Sequence, residues 1–509
     1  MKITVVGGGT AGWLAALFIS KIKPWVDVTV IESSAIGIIG AGEGSTGALV
    51  DVISNRIWDF GCDEIEFFRE TGATLKYGIM HKGWTPDTEQ SYFGPLGGTQ
   101  SSSAFMDYAL AYGLVNFPEK LHVCTELGLL LENNLSNYNT QKFQLDRTDS
   151  LGHAVHFDAH KVGQYFKKCT LRSQSVKCID DEVLDVNLSE AGNISSVLLK
   201  SGSIVESDFF IDASGFQRIL MTKLQSKWIS YQKHLPVNAA LPFVQVQGHD
   251  YVPEPYTTAW AQKNGWMWMI PQQRKRGCGY VFCDDFITAD KAQEEIETVL
   301  KQKIDPIRLL KFQTGRLENT WMKNCLAIGL SAAFAEPLEA TSIHTTIASL
   351  TAFVFEFLKQ TAEETTNPGS IDAYNKRTNR LYDDLKDFLV MHYMGQRSDS
   401  EFWQHIYHGN TKTEFVEMML NTAISRMPSK GDVLEYQGAA GWGLWSFVMA
   451  GIGRLPPEIA AKELELIQYE KGVSLSAAGK MYMDELNIKF KRDSKSYLKY
   501  ADFINLVRT

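Results

Sequence analysis

Residues 7–12 read Gly-Gly-Gly-Thr-Ala-Gly and follow directly on a β-branched run, Ile3-Thr4-Val5-Val6. Trp13 through Ile22 has the composition of a helix, and Val26 to Ile31 reads as a second strand closed by Glu32, 20 residues after Gly12. A strand, a Gly-x-Gly-x-x-Gly turn, a helix and a strand ending in an acid is the opening of a doubly wound α/β sheet that holds a dinucleotide. Each part has a physical task. Gly7 permits the tight turn, Gly9 lets backbone close on a pyrophosphate, and Gly12 lets the helix lie against the strand. The free amides around Thr10 and Ala11, at the positive end of the helix dipole, face the phosphates. Glu32 accepts hydrogen bonds from ribose hydroxyls and disfavours a 2′-phosphorylated ligand.

No second glycine fingerprint follows. Phe209-Phe210-Ile211-Asp212-Ala213-Ser214-Gly215 is an apolar strand ending in an acid and a tight turn, so Asp212 is placed to meet the far side of an extended dinucleotide. Cys325-Leu326-Ala327-Ile328-Gly329 is a further strand-and-glycine element, ahead of a helical stretch over 343–360. Three separated elements closing on one ligand favour FAD over NAD.

Composition narrows the remaining classes. At 509 residues the prior is about three domains. Fifty Lys+Arg against 59 Asp+Glu give a net charge of -9, with no bias toward nucleic acid or anionic lipid. No stretch approaches the roughly 18 apolar residues of a spanning helix, and no signal-peptide pattern is present, so the expectation is a cytoplasmic protein off the membrane. The seven cysteines, at 62, 124, 169, 178, 278, 283 and 325, form no Cys-x-x-Cys pair, and no metal site is expected.

The chain resembles the flavin-dependent tryptophan halogenase family. Gly265-Trp266-Met267-Trp268-Met269-Ile270-Pro271 is similar to the family's Trp-x-Trp-x-Ile-Pro, and Gly40-Ala41-Gly42-Glu43-Gly44-Ser45-Thr46 to its Gly-x-Gly-Glu-Ala-Thr. Thr74-Leu75-Lys76-Tyr77-Gly78 with Trp84 resembles its lysine segment, and Phe334-Ala335-Glu336-Pro337-Leu338-Glu339-Ala340-Thr341-Ser342 its Glu-Pro-Leu-Glu segment. His156-Phe157-Asp158-Ala159 and Phe402-Trp403 are weaker matches, so the resemblance spans residues 3 to 455. It implies a flavin monooxygenase-like (Rossmann-type) FAD-binding unit interlocked with a largely helical substrate unit. The corresponding ranges are 1–90, 145–230 and 310–360 for FAD, and 91–144, 231–309 and 361–509 for substrate. The lysine-rich 456–509 stretch is expected to be surface helix.

The resemblance also implies a chemistry. FADH₂, O₂ and a halide give hypohalous acid, which must reach an aromatic substrate without escaping. Lys76 is the implied guide, by hydrogen bonding the oxidant or by becoming a haloamine. Glu339 is the implied carboxylate for the cationic ring intermediate, with Glu336 the alternative. Thr341 and Ser342 match the halide-binding positions. Gly40, Gly42, Glu43, Ser45, Gly329 and Leu338 join Gly7, Gly9, Thr10, Ala11, Gly12, Glu32 and Asp212 around the cofactor. Trp266 and Trp268, two apart on a strand, face one side and with Ile270 and Pro271 stand between flavin and substrate.

The chain departs from the pattern twice. Ser342 replaces a glycine, which points to bromide in preference to chloride. Gly94 and Leu96 replace the His and Phe that clamp the indole in tryptophan-specific members, which points to an open pocket for indole or another electron-rich aromatic. Trp445 is either a remaining ring wall or core packing. A separate flavin reductase is the implied partner, by diffusion of free FADH₂, and the state is monomer or homodimer. Two rival readings share the fold: a single-component FAD-dependent aromatic hydroxylase, and a flavin-binding scaffold without catalysis.

Overall fold

The computed structural model describes residues 1–36, 43–97, 99, 107–139, 153–409, 411–433, 441–466 and 472–508. The chain folds as two compact units, each assembled from three segments. The first comprises Met1–Ala73, Phe157–Gln232 and Phe312–Asp383, and the second Thr74–His156, Lys233–Lys311 and Asp384–Thr509.

The first unit is built on a six-stranded sheet in the order Trp321–Met322, Cys325–Ala327, Phe209–Asp212, Lys2–Val6, Asp27–Glu32, Val176–Asp180. All neighbours are parallel except the hairpin at Trp321–Met322. Parallel strands are covered on both faces, which is why Ile3-Thr4-Val5-Val6 and Phe209–Asp212 are apolar runs, not alternations, with every one of these residues buried. The helix Thr10–Ile22 is likewise buried on nearly all sides, from Gly12 to Ser20. Register aligns Val6 with Ile31 on one side and Asp212 on the other, and Asp212 with Ala327. The carboxyl ends of four parallel strands therefore finish level, the place where open α/β sheets take their ligands.

The second unit contains a seven-stranded sheet ordered Leu310–Lys311, Ala239–Val246, Lys275–Phe282, Gly265–Pro271, Tyr256–Ala261, Gly78–Lys82, Ser91–Pro95. It is antiparallel apart from the pairing of Tyr256–Ala261 with Gly78–Lys82. One face carries Leu241, Phe243, Met267, Tyr280 and Phe282 and packs on the helix Ala289–Leu300 through Ala292 and Ile296. The other face carries Trp266 and Trp268.

The C-terminal stretch differs from the expected surface helix. Helices Pro457–Leu466 and Leu475–Asp493 are followed by a strand, Tyr497–Lys499, paired with Leu135–Asn139, and then by the helix Tyr500–Val507. Tyr500, Phe503, Ile504 and Val507 recur at helical spacing, so one stripe is apolar and becomes core, with Phe503 stacked on Tyr138 at 4.5 Å. Average polarity hid that stripe.

Candidate active site

The dinucleotide end assembles from three turns. Gly7 has φ 118°, and a Cβ there would overlap the carbonyl of Ala213, in the Asp212 turn. A Cβ on Gly8 would overlap the Glu32 side chain, and one on Gly12 would overlap the carbonyl oxygen of Gly7. Gly329, φ 59°, lies so close to the helix start that a Cβ would be 2.7 Å from that of Ala11. Gly9 is different: no described atom lies within 4 Å of the Cβ position. Packing accounts for the other glycines but not for this one, so the open space beside Gly9 fits a bound phosphate. The helix beginning at Thr10 has no side-chain cap on its first amides and no acid in its first turn, which also suits an anion.

Glu32 is held before any ligand arrives. Trp13 Nε1 donates to its Oε2 at 3.1 Å, and Lys167 pairs with its Oε1. Neither partner is part of the glycine motif, and only the fold brings Lys167 there. Asp212 is fully buried and its carboxylate accepts from the amides of Ser214, Leu220 and Met221 and from the hydroxyls of Ser214 and Ser331. With five donors on it, this acid organises the turn, and the ligand would meet the turn's backbone. Glu43 is pushed up to about 7 by burial and then by the negative charge of Asp158, so it is substantially protonated near neutrality. Ser45 beside it is fully buried. Gly40 and Gly42 lie outside the described residues.

In the same unit Leu338 is buried, while Glu339 and Ala340 both take left-handed backbone, φ 66° and 53°. Two adjacent non-glycine residues in this region store about 1–2 kcal/mol each. The helix Thr341–Ala352 starts there with no side-chain cap and no acid in its first turn. Thr341 is buried and Ser342 exposed. Ser342 sits in the first helical turn with no left-handed φ, so its Cβ causes no backbone strain. Glu336, the alternative carboxylate, is only 4% exposed.

In the second unit Lys76 ends the strand Thr74–Lys76 with none of its surface exposed. The next peptide is held on both sides, Tyr77 donating to Pro255 O at 2.7 Å and accepting from Leu96 N at 2.9 Å. On the neighbouring strand His156 is fully buried, and burial with the Lys76 charge holds its imidazole well below the usual range. Thr74 Oγ1 donates to Pro271 O at 2.7 Å and is 3.2 Å from His156 Nδ1, so Nδ1 carries the proton and Nε2 accepts from Thr257 Oγ1 at 2.9 Å. His156 is thus a neutral neighbour for the ammonium.

Trp266 and Trp268 project from the same sheet face, their rings 6.4 Å apart. Ile270 continues that face by alternation, whereas Pro271 belongs to the opposite one and with Met269, Glu254 and Arg276 lines a small cleft there. A Cβ on Gly279, directly across from Trp268, would overlap the indole, so this glycine makes room for the ring. Trp445 is fully buried against Phe388 and Phe415, at 5.3 Å from each. Ring contacts lead from Trp445 through Phe388, His392 and Trp84 to Trp266. Gly94 lies within Ser91–Pro95 and Leu96 just beyond it, half-buried.

The tryptophan halogenase family profile matches residues 2–463. The chain belongs to the tryptophan halogenase family. It is 31% identical to tryptophan 7-halogenase KtzQ of Kutzneria sp. (strain 744), over 89% of this chain and 90% of that one. It is 28% identical to tryptophan 7-halogenase RebH of Lentzea aerocolonigenes, again over 89% and 90%. The fold matches a tryptophan halogenase from Shewanella frigidimarina NCIMB 400 with TM-score 0.87, at 22% identity and covering 100% of this chain and 97% of that one. It also matches BrvH, a flavin-dependent halogenase from Brevundimonas sp. BAL3, with TM-score 0.83 at 24% identity, covering 100% and 99%. Membership makes the chain a flavin-dependent halogenase, an oxidoreductase, as the motifs implied. Among the described residues, no helix is long and apolar enough to cross a membrane.

Proposed function

We propose that this family member uses FADH₂, O₂ and a halide to make hypohalous acid, and that Lys76 guides the oxidant to an electron-rich aromatic such as an indole or tryptophan derivative. The observation that carries the reading is Lys76 itself. A lysine with no exposed surface is rare, and this one falls in the stretch that resembles the family's lysine segment.

Bound FAD would lie along the Gly7–Gly12, Asp212 and Gly329 turns and, reduced, supply the electrons that activate O₂. In the net reaction an aromatic C–H, a halide, O₂, FADH₂ and one proton give the aryl halide, FAD and two waters. Lys76 Nζ donates a hydrogen bond to the oxygen of the hypohalous acid and orients its halogen. Glu339 stabilises the cationic ring and takes the proton that leaves it. The uncapped amides at Thr341 and Ser342 hold the halide, and Trp266, Trp268 and Ile270 keep water and substrate away from the flavin. We assign bromide as the preferred halide and place delivery of FADH₂ with a separate diffusing reductase.

The test is to combine the protein with FAD, a flavin reductase, NADH and chloride or bromide, and to screen indoles by mass. Halogenated product is expected. Halide-independent hydroxylation would replace this reading with the hydroxylase, and no modification of any indole would leave a flavin-binding scaffold. Equal or faster turnover with chloride would reject the bromide assignment.

A further inference from the structure

Resting on the reading of this chain as an aromatic halogenase, we propose that His81 supplies the imidazole wall of the substrate chamber, taking from a neighbouring strand the place that residue 94 fills in tryptophan-specific members.

Gly94 is not there for the backbone, since it has no left-handed φ. A Cβ at this position would be 3.5 Å from Cε1 and 3.7 Å from Nδ1 of His81. A methyl group there would already be in van der Waals contact with the imidazole, so a longer side chain directed toward His81 would have to displace it. The imidazole nearest to position 94 is thus that of His81, from the neighbouring strand.

The strand register places His81 on the sheet face of Trp266 and Trp268. Gly78–Lys82 and Ser91–Pro95 are antiparallel, with His81 opposite Tyr92 and Ile79 opposite Gly94. Side chains at 81, 92 and 94 therefore share one sheet face. Across the sheet His81 pairs with Ala259, and Ala259 with Trp268, so His81 is on the face of the two tryptophans.

The imidazole is also held rigidly. It stacks on Tyr92 with centroids 4.6 Å apart and planes 8° from parallel, and only 1% of its surface is exposed. Trp84 meets its edge at 6.1 Å and touches Trp266 at 6.3 Å, giving one continuous run of rings. A Cβ on Gly451 would overlap Tyr92, so the helix Trp442–Gly451 presses that ring from its far side. His392 lies 5.1 Å from His81, and its Nδ1 donates to Phe388 O at 2.9 Å.

The test compares indole and tryptophan binding to the full-length protein by calorimetry, without turnover, for His81→Leu, His81→Phe, Gly94→His and the double variant His81→Ala/Gly94→His. Leucine keeps volume without a ring and is expected to weaken indole binding about tenfold, whereas phenylalanine stays within about threefold. Gly94→His alone is expected to weaken it about tenfold, and the double variant to recover it and raise tryptophan relative to indole. Unchanged affinities in both His81 single variants, or a double variant no better than Gly94→His, would overturn the assignment. So would a uniform loss that leaves the indole-to-tryptophan ratio untouched, the mark of a merely structural histidine. A wild type that binds indole but makes no haloindole would instead reject the proposed reaction, and the binding comparison would still decide the role of His81.

Discussion

His156 and Lys76 come from paired strands and are both sealed from solvent, the imidazole kept neutral by burial and by the lysine's charge. A histidine held below its ordinary value makes the fold sensitive to acid. The unfolded chain takes up a proton below about pH 6.5 and the folded chain does not, so stability is complete above that value and falls as pH drops through it. The slope is about 1.4 kcal/mol per pH unit for one such group. His344, also lowered by burial, adds in the same direction. Thermal melts between about pH 5 and 8 should show a fall below 6.5 that is shallower in His156→Gln. An identical slope in the variant would remove His156 from the account.

Lys76 is expected to matter for reaction and not for flavin binding, since it stands in the second unit, outside the glycine turns. Lys76→Met keeps most of its buried volume. Its halogenation rate should fall by at least about 10²-fold, with FAD affinity within about twofold of the parent. Retention of a third of the activity in a steady-state assay would contradict the guiding role.

Gly9 and Gly12 should separate folding from binding. A methyl at Gly12 overlaps the Gly7 carbonyl, backbone that is tied to the sheet by the Gly7 amide donating to Ile31 O at 2.8 Å. Gly12→Ala is therefore expected to lose about 1–3 kcal/mol or fail to accumulate. A methyl at Gly9 meets no described atom. Gly9→Ala should melt within a few degrees of the parent yet bind FAD about tenfold or more weakly by flavin fluorescence. The opposite order would mean that the open space belongs to something other than the cofactor.

Glu43 gives the reverse pH trend. Its carboxyl is pushed from 4.5 to about 7, so the folded chain holds a proton that the unfolded chain releases. This contribution is complete below about pH 4.5, falls as pH rises to about 7 and is flat beyond. Glu43→Gln should match the parent near pH 4.5 and exceed it at about pH 8, by at most about 3 kcal/mol. Denaturant melts at the two pH values measure the difference, and equal stability at both would show that Glu43 ionises freely.

Much of the nucleotide end was legible because its rules are local. The order strand, glycine turn, helix, acid follows from steric and dipole constraints within one stretch of chain, and alternation alone put Trp266 and Trp268 on one face. Other features depend on partners distant in sequence. Glu32 is recognisable as an acid at a strand end, but its clamp by Lys167 exists only after folding. Asp212 reads as a ligand-facing acid until the amides of Leu220 and Met221 and the hydroxyl of Ser331 are found on it. Gly279 looks like any strand glycine until register sets it against Trp268.

The sequence by itself determined the dinucleotide turn, the family and the residue types available for halogenation, because each rests on chain-local spacing. Tertiary structure decided how Glu32 and Asp212 are held, how deeply Lys76 is buried, and which imidazole stands beside Gly94. Those outcomes depend on strand register and packing density, and a single position cannot specify either without the neighbours that the fold brings to it.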